Sequence, residues 1–74
     1  MRTARIANPQ MLGDILRSAR LHSGQTQAEL AEVLGMSQRY VMEIEAGKPT
    51  KAVERLFEYA RETGVSLYAD LPDA

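Results

Sequence analysis

Two stretches with helical periodicity are separated by only Gly35-Met36-Ser37, and that junction restricts the chain more than any other feature. Upstream, Thr26-Gln27-Ala28-Glu29 has the form of a capping box, in which hydroxyl and carboxylate each satisfy an amide at the helix start. Leu30, Ala31, Val33 and Leu34 are the apolar residues of that helix, and Gly35 ends it where a positive φ costs little. Downstream, Ser37 caps a second helix, which Gly47 closes, with Pro49 as a stop signal. A glycine-bearing turn this short makes the two helices cross at a steep angle and pack on each other.

The pair is the sequence form of a helix-turn-helix, and its flanks complete a small helical domain. Asn8-Pro9 starts an earlier helix, with Asn as cap and Pro at the first helical position. Leu12, Ile15, Leu16 and Ala19 recur along one of its faces, and Gly24 ends it. Gly13 lies inside this helix at a cost of about 1 kcal/mol relative to alanine. A fourth helix is expected over residues 50–63, with Val53, Leu56, Phe57 and Ala60 inward and Gly64 at its end. Val65-Ser66-Leu67-Tyr68-Ala69-Asp70 then alternates apolar and polar, as a half-buried strand does. The expected fold is mainly α, organised as a flexible arm (1–7), a helix-turn-helix domain (8–64), a dimerisation strand (65–71) and a tail (72–74).

A chain of 74 residues without cysteine has neither disulfides nor thiolate metal sites to support a small core. Idealised helix packing or oligomerisation must make up the deficit. A lone strand points to oligomerisation, because its backbone donors and acceptors need a ladder and no second strand is read in this sequence. Pairing with its copy across a two-fold axis gives an intersubunit two-stranded antiparallel sheet, with Val65, Leu67, Tyr68 and Ala69 as its residues. An extended tail packed on its own helices is the alternative.

The net charge of −1 is not the basic balance usual for nucleic-acid partners, but its distribution is uneven. Residues 1–20 carry Arg2, Arg5, Arg17 and Arg20 against Asp14, whereas residues 52–74 carry five acidic and two basic groups. Phosphates respond to nearby charge, since fields decay over about 10 Å in moderate salt. Around the helix after the turn, Tyr40, Val41 and Ile44 lie with Ser37 on one face, to pack inward. Gln38, Arg39, Met42, Glu43 and Ala46 lie on the other, as they would on any solvated surface helix. The chemistry favours DNA: Gln and Arg side chains pair bidentately with adenine and guanine edges, and these two stand in the turn that enters a major groove. Glu43 either accepts from a cytosine amino group or holds Arg39, four residues earlier, by an ion pair; the second role is preferred.

The run Gln25-Thr26-Gln27-Ala28-Glu29-Leu30-Ala31-Glu32-Val33-Leu34-Gly35-Met36-Ser37-Gln38, continued by Val41-Met42-Glu43-Ile44-Glu45-Ala46-Gly47-Lys48, resembles the Xre-type helix-turn-helix family, which includes phage Cro and repressor proteins. The resemblance implies a lambda-repressor-like domain. It implies that Gln27 binds backbone phosphate, that Gln38, Arg39 and Glu43 occupy base-reading positions, and that Ser37 contacts phosphate or base. It further implies a structural ion pair between Arg20 and Glu45, and a phosphate-contacting loop carrying Lys48 and Lys51. Arg2 and Arg5 either reach toward DNA from the arm or carry charge without a role.

The ending Glu62-Thr63-Gly64-Val65-Ser66-Leu67-Tyr68, with the Asn8-Pro9-Gln10 start, is similar to HipB-type antitoxins. That resemblance implies a homodimer on a palindromic operator, repression of its own operon, and a HipA-like serine/threonine kinase toxin as partner. The acidic, partly aromatic residues Glu54, Glu58, Tyr59, Glu62 and Tyr68 would then face the toxin, or form an ordinary solvated face. A free-standing phage or plasmid repressor, a restriction-modification controller, an antitoxin to another toxin and an interaction-only module remain alternatives. An enzyme is not expected: His22 is the only histidine, and no phosphate-binding glycine loop or paired-carboxylate pattern occurs. No cofactor, metal, small-molecule ligand or membrane contact is expected, and the expected location is the bacterial cytoplasm.

Overall fold

The computed structural model describes residues 2–72; Met1, Asp73 and Ala74, which belong to the expected arm and tail, lie outside the described residues. Strand β1 (Arg2–Ile6) is followed by helices α1 (Pro9–His22), α2 (Gln27–Leu34), α3 (Gln38–Glu45) and α4 (Lys51–Thr63), then by strand β2 (Leu67–Leu71). The helices begin and end where their capping residues stand. Asn8, Thr26, Ser37 and Thr50 each accept a backbone amide hydrogen bond at a helix start, and at Thr26 the Glu29 carboxylate completes the capping box. Gly35 and Gly64 end α2 and α4 at φ of 68° and 76°, a conformation that a side chain would strain.

The mainly helical class expected from the sequence is present, with one correction at the ends. Residues expected to form a flexible arm are strand β1, antiparallel to β2, with Arg2 opposite Leu71 and Ile6 opposite Leu67. The premise that β2 has no ladder within its own chain is thereby wrong. Ala4 and Ile6 turn to the covered side while Arg2, Thr3 and Arg5 stay exposed. The Thr3 hydroxyl donates to the Asp70 carboxylate at 3.0 Å across the pair.

The core lies where α1, α2 and α3 meet. Ala31 and Val41 are buried there, and Phe57 and Ala60 are buried under the sheet beside Ile6 and Leu67. Gly13 explains its own presence. A Cβ at that position would stand 2.6 Å from the carbonyl oxygens of both Ile44 and Glu45, so α1 crosses the end of α3 with no room for a methyl group. The same crossing is tied at the next turn, where Gln10 Nε2 donates to the Gly47 carbonyl at 3.4 Å.

Several side chains expected inward are not. Tyr40 is 50% exposed and Leu56 58% exposed, and Val33 and Leu34 also face outward. In an eight-residue helix such as α3 only about two turns reach the core, and Val41, Ile44 and Glu45 occupy them.

Candidate nucleic-acid interface

Helix α3 is held from behind by ions. Arg20 donates from Nε to Glu45 Oε2 at 2.7 Å and from Nη2 to Oε1 at 3.0 Å, a two-pronged pair between buried side chains. Its remaining nitrogen, Nη1, donates to the Gln25 carbonyl at 2.9 Å, so one guanidinium joins α1, the α1–α2 loop and the end of α3. Gln27 Nε2 adds a bond to Glu45 Oε1 at 3.1 Å. Arg20, foremost by its hydrogen bond, then Gln27 and the nearby charges of Arg20 and Arg17 hold the Glu45 carboxyl below its usual range, against the desolvation that opposes this. Its partner Arg20 is shifted upward, first by the hydrogen bonding it donates to Glu45. A planar guanidinium matches a carboxylate at two points, which fixes angle as well as distance.

Outward from this clamp stands the face that can meet DNA. Gln38 and Arg39 are exposed in the first turn of α3. Arg39 Nε lies 3.4 Å from Glu43 Oε1, so the ion pair preferred for Glu43 is formed, on a side chain that is otherwise free in solvent. Ser37 is exposed and accepts the Tyr40 amide at 3.1 Å; its hydroxyl hydrogen is left for another acceptor.

Gln27 and Gln38 line one open groove together with Arg17, Arg20, Thr26 and Ala28. Arg17 was not among the residues picked out in the sequence. It is exposed, and among the described residues it forms no ion pair, whereas the charge of Arg20, one turn on, is cancelled by Glu45. The spacing Arg17-x-x-Arg20 on α1 was the available signal, since residues three apart share a helix face. Lys48 and Lys51 are exposed but stand past the far end of α3, about 12 Å of helix away from Gln38.

The helix-turn-helix family model matches residues 16–69, which spans α1 to β2. The chain belongs to the Xre-like helix-turn-helix family. It is thereby a DNA-binding transcription regulator of helix-turn-helix type. A curated relative, an uncharacterised HTH-type transcriptional regulator, y4mF, from Sinorhizobium fredii, is 33% identical over 63 residues, covering 85% of this chain and 83% of its own length. No solved structure matches. Among the described residues, no helix is long and apolar enough to cross a membrane, and no group of His, Cys, Asp or Glu is placed to hold a metal ion.

Proposed function

We propose that this regulator is a sequence-specific repressor that binds a palindromic operator as a homodimer and represses its own operon. The observation that carries the reading is the exposed Gln38–Arg39 pair at the start of α3, on a helix fixed from behind by the Arg20–Glu45 clamp. Base readout needs side chains that are free at the tip and rigid at the root, and this arrangement supplies both. Glu43 narrows the rotamers of Arg39, Gln27 and Ser37 stand beside the same face for phosphate, and Lys48 and Lys51 extend the positive rim. Two such helices on a two-fold axis would read half-sites about 34 Å apart.

Within that role the chain is proposed to be a HipB-like antitoxin with a HipA-like kinase toxin as partner. The similarity of its two ends to that group supports this, and so do the exposed acidic residues Glu54, Glu58 and Glu62 on α4, of which Glu58 is paired with Arg55 at 2.8 Å. The test is binding to the protein's own promoter at fixed salt. Gln38→Ala and Arg39→Ala should each cost roughly 1–3 kcal/mol of specific affinity and relax the preference at one base position. Unaltered promoter affinity in the double variant would remove α3 as the reading helix.

A further inference from the structure

The chain leaves far more surface open than its size accounts for. Its accessible surface is 5456 Å², whereas a compact protein of this mass exposes about 4,500 Å². Its radius of gyration is 13.2 Å against about 11 Å for a compact chain of this length. It is flat, 16 Å through its thinnest direction, and among the described residues no large side chain is fully buried. The excess, about 900 Å², matches the roughly 800 Å² that each partner contributes to a standard stable interface.

The open surface is localised. A groove of about 330 Å³ runs between α1, α2 and α3, floored by Leu30, Val41 and Ile44 and edged by the exposed Leu16 and Leu34. Its charged members, Arg20 and Glu45, neutralise each other. Nothing from α4 lines it. Phe57 and Ala60 are the buried residues of α4, while Ala52, Leu56 and Tyr59, at helical spacing along one flank of the helix, are open to solvent, with Leu56 and Tyr59 58% and 72% exposed. One surface is an apolar groove, the other an exposed apolar flank of a helix bordered by Arg55 and Glu58. Two grooves cannot fill each other and two ridges leave both grooves empty, whereas groove against ridge satisfies both at once, twice over, about a two-fold axis.

We infer that a second copy of the chain covers this groove with the Leu56–Tyr59 ridge of its α4. The inference rests on the homodimer reading above and names the surface that makes the dimer. It replaces the unpaired strand as the reason for dimerisation, because β1 already fills one edge of β2.

The chain has no cysteine, so single thiols can be placed at will. Leu56→Cys would be mixed with Leu34→Cys or Leu16→Cys, one member carrying a size tag, and oxidised for analysis on non-reducing gels. The expected product is the mixed disulfide between the two variants, with little covalent dimer from any variant alone. Leu56→Arg should raise the dimer dissociation constant at least tenfold in sedimentation equilibrium. If the unsubstituted chain dimerises but no mixed disulfide forms, the groove–ridge interface is wrong while the dimer stands. Efficient linking of Tyr68→Cys to itself in place of the mixed product would move the interface to β2. An internal link in a Leu34→Cys, Leu56→Cys double variant that stays monomeric would show that the chain closes on itself, which also overturns the inference. A monomer at micromolar concentration would end the dimer reading altogether.

Discussion

Replacing Gly13 by alanine sets two effects against each other in one methyl group. On helix propensity alone, glycine to alanine in a helix interior stabilises by about 1 kcal/mol. The added Cβ, however, would sit 2.6 Å from two backbone carbonyl oxygens, those of Ile44 and Glu45, neither of which can rotate away. Carbon and oxygen not joined by a bond normally stay more than 3 Å apart, about 0.5 Å further, so α1 and α3 must separate. Overpacking of this kind costs roughly 1–3 kcal/mol. The separation also pulls on Arg20 and Glu45, which span the same two helices at 2.7 and 3.0 Å. It disturbs the end of α3, where Gly47 donates to the Ile44 carbonyl at 3.0 Å. With two unyielding carbonyls in the way the upper part of that range applies, about 2–3 kcal/mol, so after the propensity gain Gly13→Ala should be less stable by about 1–2 kcal/mol, a fall in Tm of about 4–16 °C for a domain this small. Thermal unfolding followed by circular dichroism, at one fixed protein concentration, measures it. Asp14→Ala, at the exposed neighbouring position, controls for propensity. A Gly13→Ala variant as stable as the parent or more so would mean that α1 and α3 do not meet as closely as described.

Three further outcomes follow from the site. Thr26→Ala removes the acceptor for the Glu29 amide and should cost about 1 kcal/mol in denaturant unfolding; no loss would mean the capping box is not formed in solution. Arg17→Ala should weaken operator and unrelated DNA alike and lower the salt-dependence slope by about 0.9, while Arg17→Lys restores it; an unchanged slope would remove Arg17 from the phosphate contacts. Glu45 titrates below its unfolded value, so its contribution to stability is full above that value, about 4.3, and drains as pH falls through the depressed folded one. Unfolding midpoints from pH 7 to 3 should show this acid limb, and Glu45→Gln should flatten it.

The helices were legible because their signals are local. Asn8, Thr26, Ser37 and Thr50 cap through amides three residues away, and Gly35 and Gly64 act at their own φ. The Arg20–Glu45 pair was reached only through family resemblance, since nothing in the spacing of two residues 25 apart brings them together. Strand β1 was missed because Arg-Thr-Ala-Arg-Ile carries weak apolar alternation, and the residue that confirms it, Asp70 opposite Thr3, lies 67 positions on. Leu56 and Tyr40 were placed inward by periodicity, which finds an apolar face but not whether the same chain covers it. The Gln38–Arg39 face could be named from the sequence; the grouping of Gln38 with Arg17 and Gln27 required the packing of α1 against α3.

The pairing of β1 with β2 also orders the assembly of the chain in time. The contacts that fix α1 against α3 fall within residues 9–47, so they can form as soon as α3 has been synthesised. The sheet cannot. Arg2 must wait for Leu71, so β1 emerges first and acquires its ladder last. Until then Ile6 and, once made, Phe57 lack their cover, and the interval in which these residues are most vulnerable to aggregation or proteolysis closes only when β2 has been made.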